Sequence, residues 1–151
     1  MMELIMVIVL VGILAAFAAP RWIGQVEFDA RGFYDQTLGM IRYAQKLAIA
    51  QRRDVWVQID QSSGNICLTY IAVDPNCASN LMTASNPVLD PIDRNWFKKT
   101  APKNVSFGAS LSFNFTALGR PSPNLTQSIA ITGGAAGGGT IVVESETGYV
   151  H

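Results

Sequence analysis

The chain's single histidine, His151, is its last residue. A Ser/His/Asp or Cys/His nucleophile would therefore have to work through a loose terminal side chain, and no enzymatic site is read here. Cys67 and Cys77 have neither further cysteines nor a nearby histidine to complete a tetrahedral zinc set. Asp90 and Asp93 stand either side of Pro91, and Glu144 and Glu146 lie two apart. Such oxygens can take calcium, but EF-hand spacing is missing, so solvated turn charges are expected. No metal and no cofactor is expected. Arg94, Lys98, Lys99 and Lys103, with Trp96 and Phe97, form the one basic and aromatic cluster. Cations of this kind hold a nucleic-acid backbone while rings stack on bases, which makes these residues candidates for a DNA or partner contact. The competing reading is a solvated loop, diluted by Asp90 and Asp93 and pinned to the domain by Trp96 and Phe97. Gly133 to Gly139 is glycine-rich but lacks the Lys-Ser/Thr ending of a phosphate loop, so it reads as a flexible hairpin tip.

The remaining charge that demands a role is Glu3. From Leu4 to Ala19 every residue is apolar or glycine, and a carboxylate at a bilayer centre costs about 2.5 to 3.5 kcal/mol, so Glu3 reads as a working charge. The segment is marginally long enough to span a bilayer, which takes about 20 residues. Ala16-Phe17-Ala18 mimics a signal-peptidase site, giving a soluble secreted protein as one alternative, although no Lys or Arg precedes Arg21. A helix that leaves the membrane and packs against copies of itself is the third possibility.

The elements that carry these residues follow from periodicity. Beyond Pro20, Ile23, Val26, Ala30, Phe33, Thr37, Ile41, Ala44 and Ala48 recur at helical spacing, with Leu38 and Leu47 beside them. One helix kinked at Pro20 is predicted from Met1 to about Arg52, about 75 Å long, too long to bury in a domain of roughly 100 residues. After Asp54 the period falls to 2. Val55 to Asp60 and Ile66 to Tyr70 around Ser62-Ser63-Gly64-Asn65 predict a half-buried hairpin. Further strands are expected at Leu111 to Phe115, Ser128 to Ile131, Thr140 to Val143 and Tyr149 to His151. The organisation is thus an anchor or filament-core segment at 1–20, an amphipathic continuation at 21–53, and a β-rich domain at 54–151 with a long loop at 74–103. Eleven basic and eleven acidic residues cancel, so there is no global electrostatic case for nucleic acid.

Glu3-Leu4-Ile5, Gly12-Ile13-Leu14-Ala15-Ala16 and Pro20 resemble the N-terminal signature of type IV pilins and type II secretion pseudopilins. Gln45 to Val55, Phe115 to Gly119 and Thr140 to Val150 resemble the helix-to-strand junction and later strands of minor pilins and pseudopilins of the FimT and GspH type. A minor pilin of a mannose-sensitive haemagglutinin pilus is the subgroup expected. The resemblance implies an α+β, type IV pilin-like fold, in which a long N-terminal helix with a hydrophobic first half packs its C-terminal half on an antiparallel β-sheet domain. It implies a structural, non-enzymatic subunit of a pilus or secretion pseudopilus. Glu3 would be its assembly charge, neutralising the terminal amine of an adjacent subunit, with Gly12 and Pro20 as helix signature. Its partners would be other pilin or pseudopilin subunits, the inner-membrane assembly platform, and lipid before assembly. Its place would be the bacterial inner membrane as a single pass with the C-terminal domain in the periplasm, then a surface filament. Some minor pilins of the FimT type are implicated in DNA uptake, which keeps a DNA-binding minor pilin as a second alternative.

Two departures from the family pattern bear on the start. A processed member begins with a methylated aromatic residue after a basic leader ending in glycine, whereas this sequence opens Met1-Met2-Glu3. The expected start lies upstream. Positive residues favour the cytoplasmic side, and with Arg21 alone flanking the segment the orientation would otherwise come out inverted. In the oxidising periplasm that the resemblance implies, Cys67 and Cys77 read as one disulfide, contributing about 2 to 3 kcal/mol for so short a loop.

Overall fold

The computed structural model describes residues 2–18, 25–72, 77, 86–134 and 137–151. Helix α1 spans Met2–Ala18 and α2 spans Gln25–Gln51; Pro20, Ile23 and the expected kink lie outside the described residues. Among the described residues no helix is long and apolar enough to cross a membrane.

The apolar stripe of α2 is buried as its spacing predicts, through Ala30, Phe33, Thr37, Ile41, Ala44 and Ala48, with Met40 added. The helix ends without a glycine. Arg52 takes a positive φ of 51°, and Arg53 N–H reaches back to Ala48 C=O at 3.2 Å, closing the last turn in the manner of a left-handed C-terminal cap.

Among the described residues eight strands follow: β1 Val55–Asp60, β2 Asn65–Thr69, β3 Lys98–Thr100, β4 Val105–Phe107, β5 Leu111–Phe115, β6 Pro121–Ser122, β7 Gln127–Gly133 and β8 Gly137–Val143. They form two antiparallel sheets, β3-β2-β1-β5-β6 and β4-β7-β8. The predicted hairpin is β1 with β2, in the register Gln58 to Cys67. Its turn is held by Asp60, whose carboxylate accepts from Ser62 and Ser63 through both backbone N–H and hydroxyl. Both sheets lay one face on α2, whose Phe33 ring meets Phe107 at 5.3 Å. Val55, Val57, Ile59, Phe113, Phe115, Ile129, Ile131 and Ile141 complete the core. Each such side chain contributes about 1.5 to 3 kcal/mol on leaving water.

Several expectations need correction. The hairpin is not half-buried: all of β2 and all of β1 except Trp56 are buried, because chain from the expected loop covers the outer face. The described part of that loop is not irregular throughout. It holds β3, antiparallel to β2, and bridges Thr69 to Pro87 and Leu89 to Trp96. The glycine run is only in part a tip. Gly133 ends β7, Gly137 to Gly139 open β8, and the two strands press on α2 where side chains would collide: a Cβ on Gly133 would lie 2.8 Å from that of Ala30, and one on Gly139 would lie 2.9 Å from the Tyr34 ring. His151 is not loose either. Its backbone N–H and C=O both bond Val142, and its ring stacks on Tyr149 at 5.4 Å.

Candidate assembly and docking surfaces

Glu3 lies in the first turn of α1. Along this helix every side chain from Met2 to Ala15 is exposed, Leu4 at 67%, Ile8 at 62% and Leu14 at 68%. A patch of this size, apolar around the whole helix, is a surface built to be covered by something other than its own chain. Gly12 leaves open space beside the helix, with no atom within 4 Å of where a Cβ would sit.

Where α2 runs along the domain, its polar side chains grip the end of the chain. Arg42 donates from Nε and Nη2 to the Val150 carbonyl at 3.1 and 3.0 Å. Gln45 Nε2 donates to the carbonyls of Gly119 and Thr147, each at 3.1 Å. The close approach needs Gly148, whose φ is 67° and whose Cβ would run into the Gly119 carbonyl. Neither Arg42 nor Gln45 stood out in the sequence, since both fall off the apolar stripe. Their only signal was that a charged and an amide side chain flank it one turn apart.

The outer face of β1 and β2 is sealed by residues from the expected loop. Cys67 and Cys77 are joined by a disulfide with Cα atoms 5.9 Å apart, and with Trp96 they form a second buried cluster. Trp96 Nε1 donates to Leu68 C=O at 2.9 Å, and Phe97 packs edge-on against Tyr43 at 5.4 Å. Burial, then the nearby Tyr70 and Asp90, raise the Tyr43 hydroxyl above its ordinary pKa. The four basic residues of this region do not act together. Lys98 Nζ donates to Cys77 C=O at 2.7 Å, while Lys99 pairs with Asp90 at 3.3 Å. Arg94 and Lys103 are exposed. Trp96 is only 8% exposed, so its ring is not open for a base to stack on, while Phe97 is part-buried with Lys99 Nζ 5.6 Å from its ring centroid.

Asp90 is buried rather than solvated, because it closes its own turn: its carboxylate accepts from Ile92 N–H and pairs with Lys99. Glu144 faces His151, and Glu146 faces Arg120 and Asn124. Among the described residues no group of three metal-binding side chains occurs.

No protein-family model matches the sequence, and no curated protein matches it. Solved structures do. The chain is similar to the type IV minor pilin FimU of Pseudomonas aeruginosa, at 18% identity and a TM-score of 0.55, over 85% of this chain and 87% of that one. It is also similar to the minor pseudopilin EpsH from the type II secretion system of Vibrio cholerae, at 12% identity and a TM-score of 0.54, over 84% of this chain and 94% of that one. An N-terminal helix laid on antiparallel sheets is common to all three, and the chain has the fold of these minor pilin and pseudopilin structures.

Proposed function

We propose that this chain is a structural, non-enzymatic minor pilin or pseudopilin subunit of a bacterial type IV pilus or type II secretion pseudopilus. The observation that carries the reading is the uncovered apolar surface of α1 with one carboxylate, Glu3, in its first turn. The shared fold with FimU and EpsH supports it. In this reading α1 rests in the inner membrane before assembly, with the β-rich domain in the periplasm, and afterwards joins a bundle of neighbouring helices. Glu3 would there meet the terminal amine of an adjacent subunit. Such a pair is strongest where water is excluded and costly to leave half-made.

The test is Glu3→Ala in the full-length precursor. The variant is expected to insert into the inner membrane at normal level and to be missing from sheared filaments or cross-linked pseudopili. Incorporation at the wild-type level would remove the role given to Glu3.

A further inference from the structure

The two sheets part along a seam that the hydrogen-bond register leaves open. In β8, Val142 N–H and C=O are both bonded to His151. Its partner in β7, Ser128, therefore sits in a non-hydrogen-bonded pair, so the backbone groups of Ser128 point away from β8. They point towards β4, but β4 ends at Phe107, and its last bond on this side is Gly108 N–H to Ala130 C=O at 2.8 Å. The same counting applies to β5. Thr116 N–H bonds Arg120 C=O, which turns Thr116, Asn114 and Ser112 towards β6. Yet β6 reaches only Asn114 and Phe115. Ser112 and Ser128, both exposed, thus carry ladder-ready backbone groups with no partner among the described residues. Between these edges lies a groove of about 280 Å³ lined by Gly108, Ala109, Leu111, Ser128, Ile129 and Ala130.

We propose that this seam is a docking site for a short extended segment of another protein, which adds to the outer edge of β7 by backbone pairing with the N–H and C=O of Ser128, beyond the point where Gly108 N–H takes the Ala130 carbonyl. The edge itself specifies the occupant. The donor and acceptor of Ser128, side by side and without a partner among the described residues, are satisfied by an extended backbone, and the apolar lining takes side chains of that strand. The groove admits one or two of them, so a short stretch with apolar residues at every second position fits. The inference is independent of the filament reading, since it uses neither α1 nor Glu3.

The experiment uses the isotope-labelled full chain in detergent micelles and capped pentapeptides Thr-X-Thr-X-Thr, with X Val, Ile, Leu or Phe. Amide shifts centred on Ser112, Ser128 and Ala130 are expected, together with slowed exchange of the Ser128 amide. Methylating the peptide's central nitrogen should weaken binding by about tenfold, the worth of one to two backbone hydrogen bonds. Ser128→Pro should do the same from the protein side, since that N–H has no partner among the described residues and proline is tolerated at such an edge. The peptide variant keeps the test intact if the proline variant misfolds. No shift with any of the four peptides at several millimolar, or equal binding of the methylated one, would overturn the proposal. So would concentration-dependent shifts at the same amides without peptide, which would assign the seam to a second copy of the chain.

Discussion

Arg42 and Val150 are 108 positions apart and joined by two hydrogen bonds from one guanidinium to one carbonyl. Through this contact the helix holds the last strand-like stretch of the chain, which in turn occupies the outer edge of β8 by way of Val142 and His151. The domain is thus closed from its end back onto its beginning.

Arg42→Ala should lower stability by about 1.5 to 3 kcal/mol, the range for hydrogen bonds from a charged donor. Loss should be local as well as global, with faster amide exchange at His151 and Tyr149 than at Ile131. Arg42→Lys keeps the charge but loses the planar fork, and is expected to recover less than half of the difference. Urea unfolding and exchange on the same samples check both statements.

The disulfide makes a different kind of prediction. Its loop has a sequence separation of 10, so constraining the unfolded chain contributes about 3 kcal/mol at most. Cys67→Ala with Cys77→Ala should leave the two sheets standing and expose the face that Trp96 covers. The expected signature is lost protection of amides from Val88 to Phe97, with β7 and β8 unchanged. Unfolding of the whole domain in the double variant would show that the cover is part of the core.

How far the sequence announced this structure varies from element to element. The stripe of α2 was legible because it buries one face at a clear period, and the β1–β2 hairpin because apolar residues alternate on both sides of a turn sequence, although both its faces are covered. Glu3 was legible because a lone charge in an apolar run is costly. Strand β3 was not, since Lys98-Lys99-Thr100 has no apolar alternation and is extended only because β2 offers it an edge. Gly137 to Gly139 read as a turn because glycine is poor in strand interiors, whereas here the missing side chains let β8 approach α2. The grip of Arg42 and Gln45 was invisible for a related reason: their partners are backbone carbonyls, which every residue carries.

Asp60 predicts a pH dependence. Hydrogen bonds from the Ser63 and Ser62 hydroxyls, then from their backbone N–H groups, hold its carboxyl below the ordinary carboxylate range, against a smaller opposing effect of burial. A pKa lower in the folded than in the unfolded state means that the stabilisation is fully present above the unfolded value, about 3.9. It is lost as pH falls through the lower folded value. Ser63→Ala should therefore reduce stability at pH 6 and shrink the fall in stability on acidification below about pH 4. Asp60→Asn should remove this group's share of the fall. Equal acid profiles for wild type and Ser63→Ala, followed by urea unfolding, would show that the turn does not depend on the charged form.

The glycine-rich hairpin yields the sharpest steric prediction. A Cβ on Gly137 would lie 2.5 Å from the Cα of Glu27 and 2.8 Å from the carbonyl oxygen of Gly133. Both obstacles are backbone, so no side chain can swing aside, and either β8 or the first turn of α2 must shift. Gly137→Ala is expected to cost about 1 to 3 kcal/mol, as overpacking does in well-filled cores. Gly39→Ala is the control, because its Cβ meets nothing within 4 Å and alanine favours a helix over glycine by about 1 kcal/mol. The isolated chain should thus become more stable with Gly39→Ala and less stable with Gly137→Ala, measured by urea unfolding. If Gly137→Ala were neutral, the approach of β8 to α2 would not require glycine, and the hairpin's composition would need another cause.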